Sequence, residues 1–251
     1  MIPKIIHYCW FGRNPLPPLA VKCISSWKKY FPDYEIKEWN EDNFNVNIIP
    51  YTREAYAAKK YAFVSDYARF WILYKYGGLY FDTDVEVIKP MAKIIAKGAF
   101  MGCENDDLTK QAVTSGFGLG VNPGLGLGVN PGLDLYKEIL DLYETLHFAK
   151  TDGTYELKTV VQYVTELLLK HGLKNTNDIQ QVAGVWIYPQ EYFCPISPTT
   201  LQFKKTKNTY SIHHFAGSWC ERSLVRRIAT SLLGIRNMQK IDAFRLKHKR
   251  K

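Results

Sequence analysis

Two carboxylates one residue apart, Asp82 and Asp84, follow an apolar run, Leu79-Tyr80-Phe81, which itself follows a glycine pair, Gly77-Gly78. Where a buried strand gives way to a loop, carboxylates at this spacing offer hard oxygen ligands to a divalent cation and the phosphate it carries. Asp-x-Asp also recurs by chance in solvated turns, so the preceding segment decides the reading. From Tyr61 to Tyr76 the apolar positions Phe63, Val64, Tyr67, Ala68, Trp71, Ile72 and Tyr74 predict a mostly buried helix. Gly77 and Gly78 end it, because glycine accepts the left-handed conformation that closes a helix. Asp66 and Arg69 lie three apart and share a face, where they either pair with each other or point together into a site. On a helix this apolar, charged groups are costly unless satisfied or used. The pattern points to a metal-dependent enzyme acting on a phosphorylated donor.

The elements that must position these residues alternate. Lys4 to Cys9 reads as a strand, Ala20 to Tyr30 as a helix, and Glu35 to Trp39 as a strand before the polar turn Asn40-Glu41-Asp42-Asn43. The helix from Tyr61 and the strand from Leu79 come next, then a strand over Asp84 to Ile88 stopped by Pro90. Asp134 to Phe148 and Glu156 to Leu169 read as helices, and Val182 to Tyr188 and Tyr210 to Phe215 as strands. Strands divided by helices predict an α/β fold with an open, largely parallel sheet, whose ligands bind at the carboxyl ends of the strands. Trp10 and Asp82 fall at such ends. Glu86 points the same way as Asp84 along its strand but beyond reach.

An octapeptide, Gly-Leu-Gly-Val-Asn-Pro-Gly-Leu, occurs twice without change, at 118–125 and 126–133. Two copies cannot build a solenoid, and each Asn-Pro-Gly predicts a turn, so the second copy is expected to extend a loop before the Asp134 helix. Its glycines lack the spacing of a phosphate-binding loop.

With 251 residues and 46% hydrophobic content, the chain can bury one substantial core. The simplest division is one domain over 1–221 and a tail over 222–251. No secretory leader pattern and no apolar run of about 18 residues is present, so a cytoplasmic location is expected. Five scattered cysteines without a Cys-x-x-Cys pair argue for reduced thiols rather than a disulfide framework or zinc site. From Arg222 onward, ten Lys or Arg against the single acid Asp242 carry the whole net charge of +9. Leu224, Val225, Ile228, Leu232 and Leu233 recur there at helical spacing, as in a basic amphipathic helix on an anionic membrane or in a core helix with a solvated end. Nucleic acid is not the expected partner, because stacking aromatics are not interleaved with these charges.

Ser65-Asp66-Tyr67-Ala68-Arg69 followed by Tyr76-Gly77-Gly78-Leu79-Tyr80-Phe81-Asp82-Thr83-Asp84 closely resembles the signature of glycosyltransferase family 32. The resemblance extends to Ile2 to Gly12 and to Ile212-His213-His214-Phe215-Ala216-Gly217-Ser218-Trp219. That family holds bacterial capsular and lipopolysaccharide sugar transferases, yeast-type mannosyltransferases and, more distantly, clostridial toxin glucosyltransferase domains. It implies the GT-A nucleotide-sugar fold, a Rossmann-like single domain, here with a basic helical tail. It also implies a retaining transfer from a nucleotide sugar, UDP-linked rather than GDP-linked, to a glycan or lipid-linked acceptor in surface polysaccharide synthesis. The enzyme would work at the inner face of the cytoplasmic membrane.

The family pattern assigns Mn2+ or Mg2+ to Asp84, Asp82 and His213, with His214 the weaker neighbour. Asp66 and Arg69 resemble the pair that grips the donor sugar, Trp10 the aromatic that stacks on the base, and Tyr80 a further donor contact. Ser218 and Trp219 resemble a closing loop that donates to the diphosphate. Two other readings remain at this stage. A haloacid-dehalogenase-type phosphatase would use Asp82 as nucleophile and Asp84 as acid. A non-catalytic membrane or polyanion adaptor would depend on the basic tail.

Overall fold

The computed structural model describes residues 1–105, 120–124, 126–196 and 202–216. Strand β1 (Ile5–Cys9) lies parallel to β2 (Glu35–Trp39) and, on its other side, to β3 (Gly78–Tyr80). Helix α1 (Pro18–Tyr30) makes the β1–β2 crossover. It starts with proline inside its first turn, where a missing N–H costs nothing, and buries Ala20, Cys23, Ile24 and Trp27. Helices α2 (Pro50–Ala57) and α3 (Tyr61–Tyr76) lead into β3. Helix α3 buries Asp66 and Arg69 together with Phe63, Val64, Tyr67 and Phe70, and ends as expected at Gly77, with φ +63°.

After β3 the chain passes through β4 (Val85–Val87), the short α4 (Ala92–Ile95), β5 (Phe100–Asn105), β6 (Gly120–Asn122) and β7 (Leu127–Val129). Helices α5 (Asp134–Glu144) and α6 (Val160–Lys170), the hairpin β8 (Gln180–Val182) and β9 (Val185–Tyr188), the single turn α7 (Gln190–Phe193) and β10 (Ser211–His213) follow. The main sheet has the order β2-β1-β3-β7-β5-β9-β8, with β6 on β5, and a separate antiparallel ribbon joins β4 to β10.

The α/β class is as expected, but the sheet is mixed rather than largely parallel. Strand β7 enters antiparallel between β3 and β5, and β8 runs antiparallel to β9. The second octapeptide copy is therefore a central strand and not a loop extension. It fits because Gly128 has no side chain: a Cβ there would lie 2.3 Å from Phe100 and 2.9 Å from Leu79. The expected strand over Val182 to Tyr188 is broken by Ala183 and Gly184, at φ +47° and +79°, a tight turn of the kind that suits hairpin twist. Helix α5 stops at Glu144, and α6 starts at Val160 behind a Thr159/Gln162 capping box.

Side chains alternate across the sheet. Cys9, Tyr80, Met101, Leu127 and Val129 face a core with α2, α3, α5 and α6, while Ile6, Tyr8, Leu79, Phe81 and Phe100 face one with α1, α4 and α7. Cys9, Cys23, Cys103 and Cys194 are buried thiols, not joined in disulfides. Among the described residues no helix is long and apolar enough to cross a membrane. Ser218, Trp219, Cys220 and the whole 222–251 tail with its domain boundary lie outside the described residues.

Candidate functional site

Strand β3 ends at the point where the chain leaves the main sheet for the ribbon. Phe81 N–H donates to His7 O at 3.2 Å, Asp82 N–H to Gly124 O at 3.0 Å, and Val85 N–H back to Asp82 O at 3.0 Å. This turn sends the two aspartates to different surroundings.

Asp82 joins a cluster with Tyr80, Arg69 and Asp66. The Tyr80 hydroxyl donates to Asp82 Oδ1 at 3.1 Å, and Arg69 Nη1 donates to Oδ2 at 3.4 Å. Arg69 Nη2 lies 3.3 Å from Asp82 Oδ1 and donates to Asp66 Oδ1 at 3.0 Å. Arg69 Nε donates to Ser65 O at 3.1 Å, and the guanidinium lies over the Tyr80 ring. One buried cation thus serves two carboxylates. Burial works against its charge, but Asp82, Tyr80 and Asp66 keep it protonated. Burial pushes the Asp66 carboxyl up to about 7 against the pull of Arg69, with Asp82 adding to the rise, while the backbone N–H of Val160 at the start of α6 favours the ionised form. Asp82 remains the accessible member, its side chain 29% exposed against 12% for Asp66. Sugar hydroxyls could donate to such a surface, and the guanidinium would offset nearby phosphate charge.

Asp84 belongs to the ribbon. His213, opposite Val85 in the β4–β10 register, brings Nε2 to 3.4 Å from Asp84 Oδ1. Ala216 N–H donates to Oδ2 at 2.8 Å and His214 N–H to the Asp84 carbonyl at 3.0 Å. Burial alone would raise the Asp84 carboxyl, but His213 and the Ala216 amide bring it down to about 2. Asp84 in turn raises His213 against its own burial. Helix α1 braces this strand: Trp27 Nε1 donates to Val85 O at 2.8 Å, and Val87 N–H to Ser26 Oγ at 2.9 Å. Glu86 is committed elsewhere, at 2.8 Å from both Lys22 Nζ and His214 Nε2.

Of the expected metal set of Asp82, Asp84 and His213, the structure brings Asp84 and His213 together and sets Asp82 beside Arg69 and Tyr80. Among the described residues no group of three or more metal-ligating side chains converges. Asp84 and His213 nevertheless fit a cation shared with a substrate. Asp84 stays ionised, and the His213 imidazole faces it with Nε2 at 3.4 Å, a carboxylate and an imidazole side by side. A hard cation of the Mg2+ or Mn2+ type commonly takes one or two protein ligands and completes its shell with phosphate oxygens.

Tyr80, read as a donor contact, is 1% exposed, and its hydroxyl holds Asp82. Trp10, just beyond β1, is half-buried and donates from Nε1 to Asn14 O at 2.6 Å. Its loop is pinned where Gly12 N–H donates to Glu41 Oε1 at 2.6 Å. Two residues carry more than sequence reasoning gave them. His7 sits 1% exposed between Gly77 O, 3.0 Å from Nε2, and Trp39 Nε1, which donates to Nδ1 at 3.1 Å. A histidine inside an apolar strand was the available signal. Gly124, which accepts from Asp82 N–H, had none beyond its place in a glycine-rich repeat.

Residues 17–101 match the family described as a glycosyltransferase sugar-binding region containing a DXD motif. Among curated proteins the chain is 38% identical over 88 residues to inositol phosphoceramide mannosyltransferase 3 of Schizosaccharomyces pombe, covering 34% of this chain and 24% of that one. It is 30% identical over 111 residues to inositol phosphoceramide mannosyltransferase 1 of the same yeast, covering 40% and 33% respectively. The chain therefore spans a third or less of the length of these relatives. Among solved structures, PaToxG glycosyltransferase aligns with a TM-score of 0.49 at 19% identity, over 67% of this chain and 69% of that one. A glycosyltransferase involved in glycosylation of the major capsid of PBCV-1 aligns with a TM-score of 0.47 at 15% identity, over 85% and 95%.

Proposed function

For a chain that carries a DXD-type glycosyltransferase sugar-binding region over residues 17–101, we propose retaining transfer of a sugar from a nucleotide sugar to a glycan or lipid-linked acceptor. The observation that carries this reading is the divergence of Asp82 and Asp84 onto two supports. A nucleotide sugar has the matching division, with hydroxyls at one end and a diphosphate at the other. Asp82 and Asp66 accept from the sugar hydroxyls, and Arg69 balances their charge while facing the anionic leaving group. Asp84 and His213 hold the Mn2+ or Mg2+. When bound, the cation neutralises charge on the departing nucleoside diphosphate. Trp10 is assigned to the base, and Ser218 and Trp219 to hydrogen bonds with the diphosphate. No residue of the cluster is placed as a free nucleophile, since both carboxylates share one guanidinium; substitution on the leaving-group face is the favoured route.

The phosphatase reading fits less well, because its nucleophile would be Asp82, which Arg69 and Tyr80 already hold. The donor is taken as UDP-linked, with a mannosyl donor the alternative suggested by the yeast relatives' names. The basic 222–251 segment suits an anionic membrane surface and surface-polysaccharide acceptors.

The test is release of UDP or GDP across a panel of UDP- and GDP-sugars, GDP-mannose included, with and without Mn(II), for the wild type and Asp84→Asn. Metal-dependent release from one donor, lost in the variant, is expected. Turnover of phosphate monoesters without release from any donor would overturn the proposal. Equal release by both proteins would remove Asp84 from its role.

A further inference from the structure

The two octapeptide copies have one sequence, and their Pro-Gly turns lie in two environments. In the second copy, Gly132 N–H donates to Tyr74 O at 2.9 Å, and Pro131 packs on Gly77, where a Cβ would meet Pro131 Cδ at 2.7 Å. This turn seals the end of α3, the helix that carries Asp66 and Arg69. In the first copy, the equivalent turn, Pro123-Gly124, is buried against the sugar-facing carboxylates. Gly124 O accepts from Asp82 N–H, fixing the backbone beneath the carboxylate. A Cβ on Gly124 would stand 1.7 Å from Asp82 Oδ2, 2.7 Å from Asp82 Cγ and 3.1 Å from Arg69 Nη1. The carboxylate occupies the space a side chain would need.

We infer that the Pro123-Gly124 turn of the first octapeptide copy is a wall of the sugar site and that Gly124 is the positioning residue that seats the Asp82 carboxylate against Arg69. The inference rests on the proposed transferase reading and goes beyond it, because the repeat lies outside the region that the family match covers. Gly124 does not need left-handed backbone freedom, since its φ is outside the positive range, whereas Gly132 has φ +79° and open space around its Cβ position. Alanine therefore acts on the two copies by different physics. At 132 it strains the backbone and touches nothing. At 124 it leaves the backbone at ease and pushes one carboxylate, breaking the contacts with Tyr80 and Arg69 that set its position.

The experiment compares Gly124→Ala and Gly132→Ala with wild type, using the donor identified by the panel and UDP with Mn(II) as a probe of the diphosphate end. Gly124→Ala is expected to lose roughly tenfold to a hundredfold in kcat/KM for the sugar nucleotide, with affinity for UDP unchanged. Gly132→Ala is expected to melt earlier with kcat/KM unchanged. Activity of Gly124→Ala within twofold of wild type, or equal weakening of UDP and sugar nucleotide, overturns the inference. The cycle with Asp82→Ala covers a variant that folds poorly, for once the carboxylate is gone the added methyl meets only the tip of the Arg69 guanidinium at 3.1 Å, a flexible end freed of its Asp82 contact. Gly124→Ala should then lower the melting temperature of wild type but not of Asp82→Ala. An equal drop in both backgrounds overturns the inference even if no sugar nucleotide is turned over, a result that would remove the transferase reading separately.

Discussion

Acidification should weaken the fold through His7 well before Asp84, whose carboxyl is held down to about 2, is protonated. The imidazole has its two nitrogens committed in opposite senses: Nδ1 accepts from Trp39, so Nε2 carries the proton and donates to the Gly77 carbonyl. A second proton has no place, and burial, assisted by the Lys37 charge and opposed by the Gly77 hydrogen bond, lowers the pKa from 6.5 to about 4. Because the folded value lies below the unfolded one, this contribution is whole above pH 6.5 and is lost as pH falls toward 4. The displacement corresponds to roughly 3 kcal/mol in all, roughly 2 of it gone by pH 5.

Urea unfolding of wild type and His7→Gln at intervals from pH 7.5 to about 3.5 isolates the effect, since other acid-sensitive groups are common to both proteins. Gln can still donate to Gly77 O but cannot take up a proton. Wild type should lead at neutral pH by about 1–3 kcal/mol, the cost of leaving the Trp39 indole without an acceptor. That lead should shrink or reverse by roughly 3 kcal/mol on descending to pH 4. A stability gap that stays flat over this range would refute the account of a buried, neutral His7.

Arg69→Met should cost about 3–5 kcal/mol by stranding Asp66 and Asp82 without a cation, and adding Asp66→Asn should recover part of the melting temperature without restoring donor turnover. Recovered turnover in the double variant would show that the cluster is structural only. Glu54→Ala should lower stability by about 1–3 kcal/mol with KM unchanged, because Glu54 Oε2 accepts from the Phe148 and Ala149 amides at 2.9 and 3.0 Å and Oε1 pairs with His147. A shift in KM would extend the site to the loop after α5.

How much of this was legible in the sequence depends on how local each cause is. Helix α3 was readable end to end because its apolar face and its Gly77 stop lie within one segment. Strand β2 was readable for the same reason, and Asp66 with Arg69 followed from helical spacing. Helix α2 was missed although Pro50 at its first turn was a signal. Strand β7 was hidden for a different reason. A glycine-rich octapeptide has the composition of a loop, and only the Phe100 and Leu79 side chains pressing on Gly128 make it a strand. Nor does spacing reveal that Asp82 is the third member of the Arg69 cluster, or that Asp84 parts from it toward His213; both depend on pairings between distant strands.

That distance has a consequence for how the protein is made. The carboxylate of Asp84 is held by the amide of Ala216, 132 residues further along the chain. At translation rates of about 5–20 residues per second, Asp84 leaves the ribosome on the order of 10 s before its partners exist. During that interval β4 has an unpaired edge and the cluster of Asp66, Arg69 and Asp82 can begin to assemble on α3 and β3, but the pairing of Asp84 with His213 cannot. The candidate site is thus incomplete on the nascent chain until β10 has been synthesised, and a ribosome stalled before that point leaves a sheet that can pack with only one of the two clusters formed.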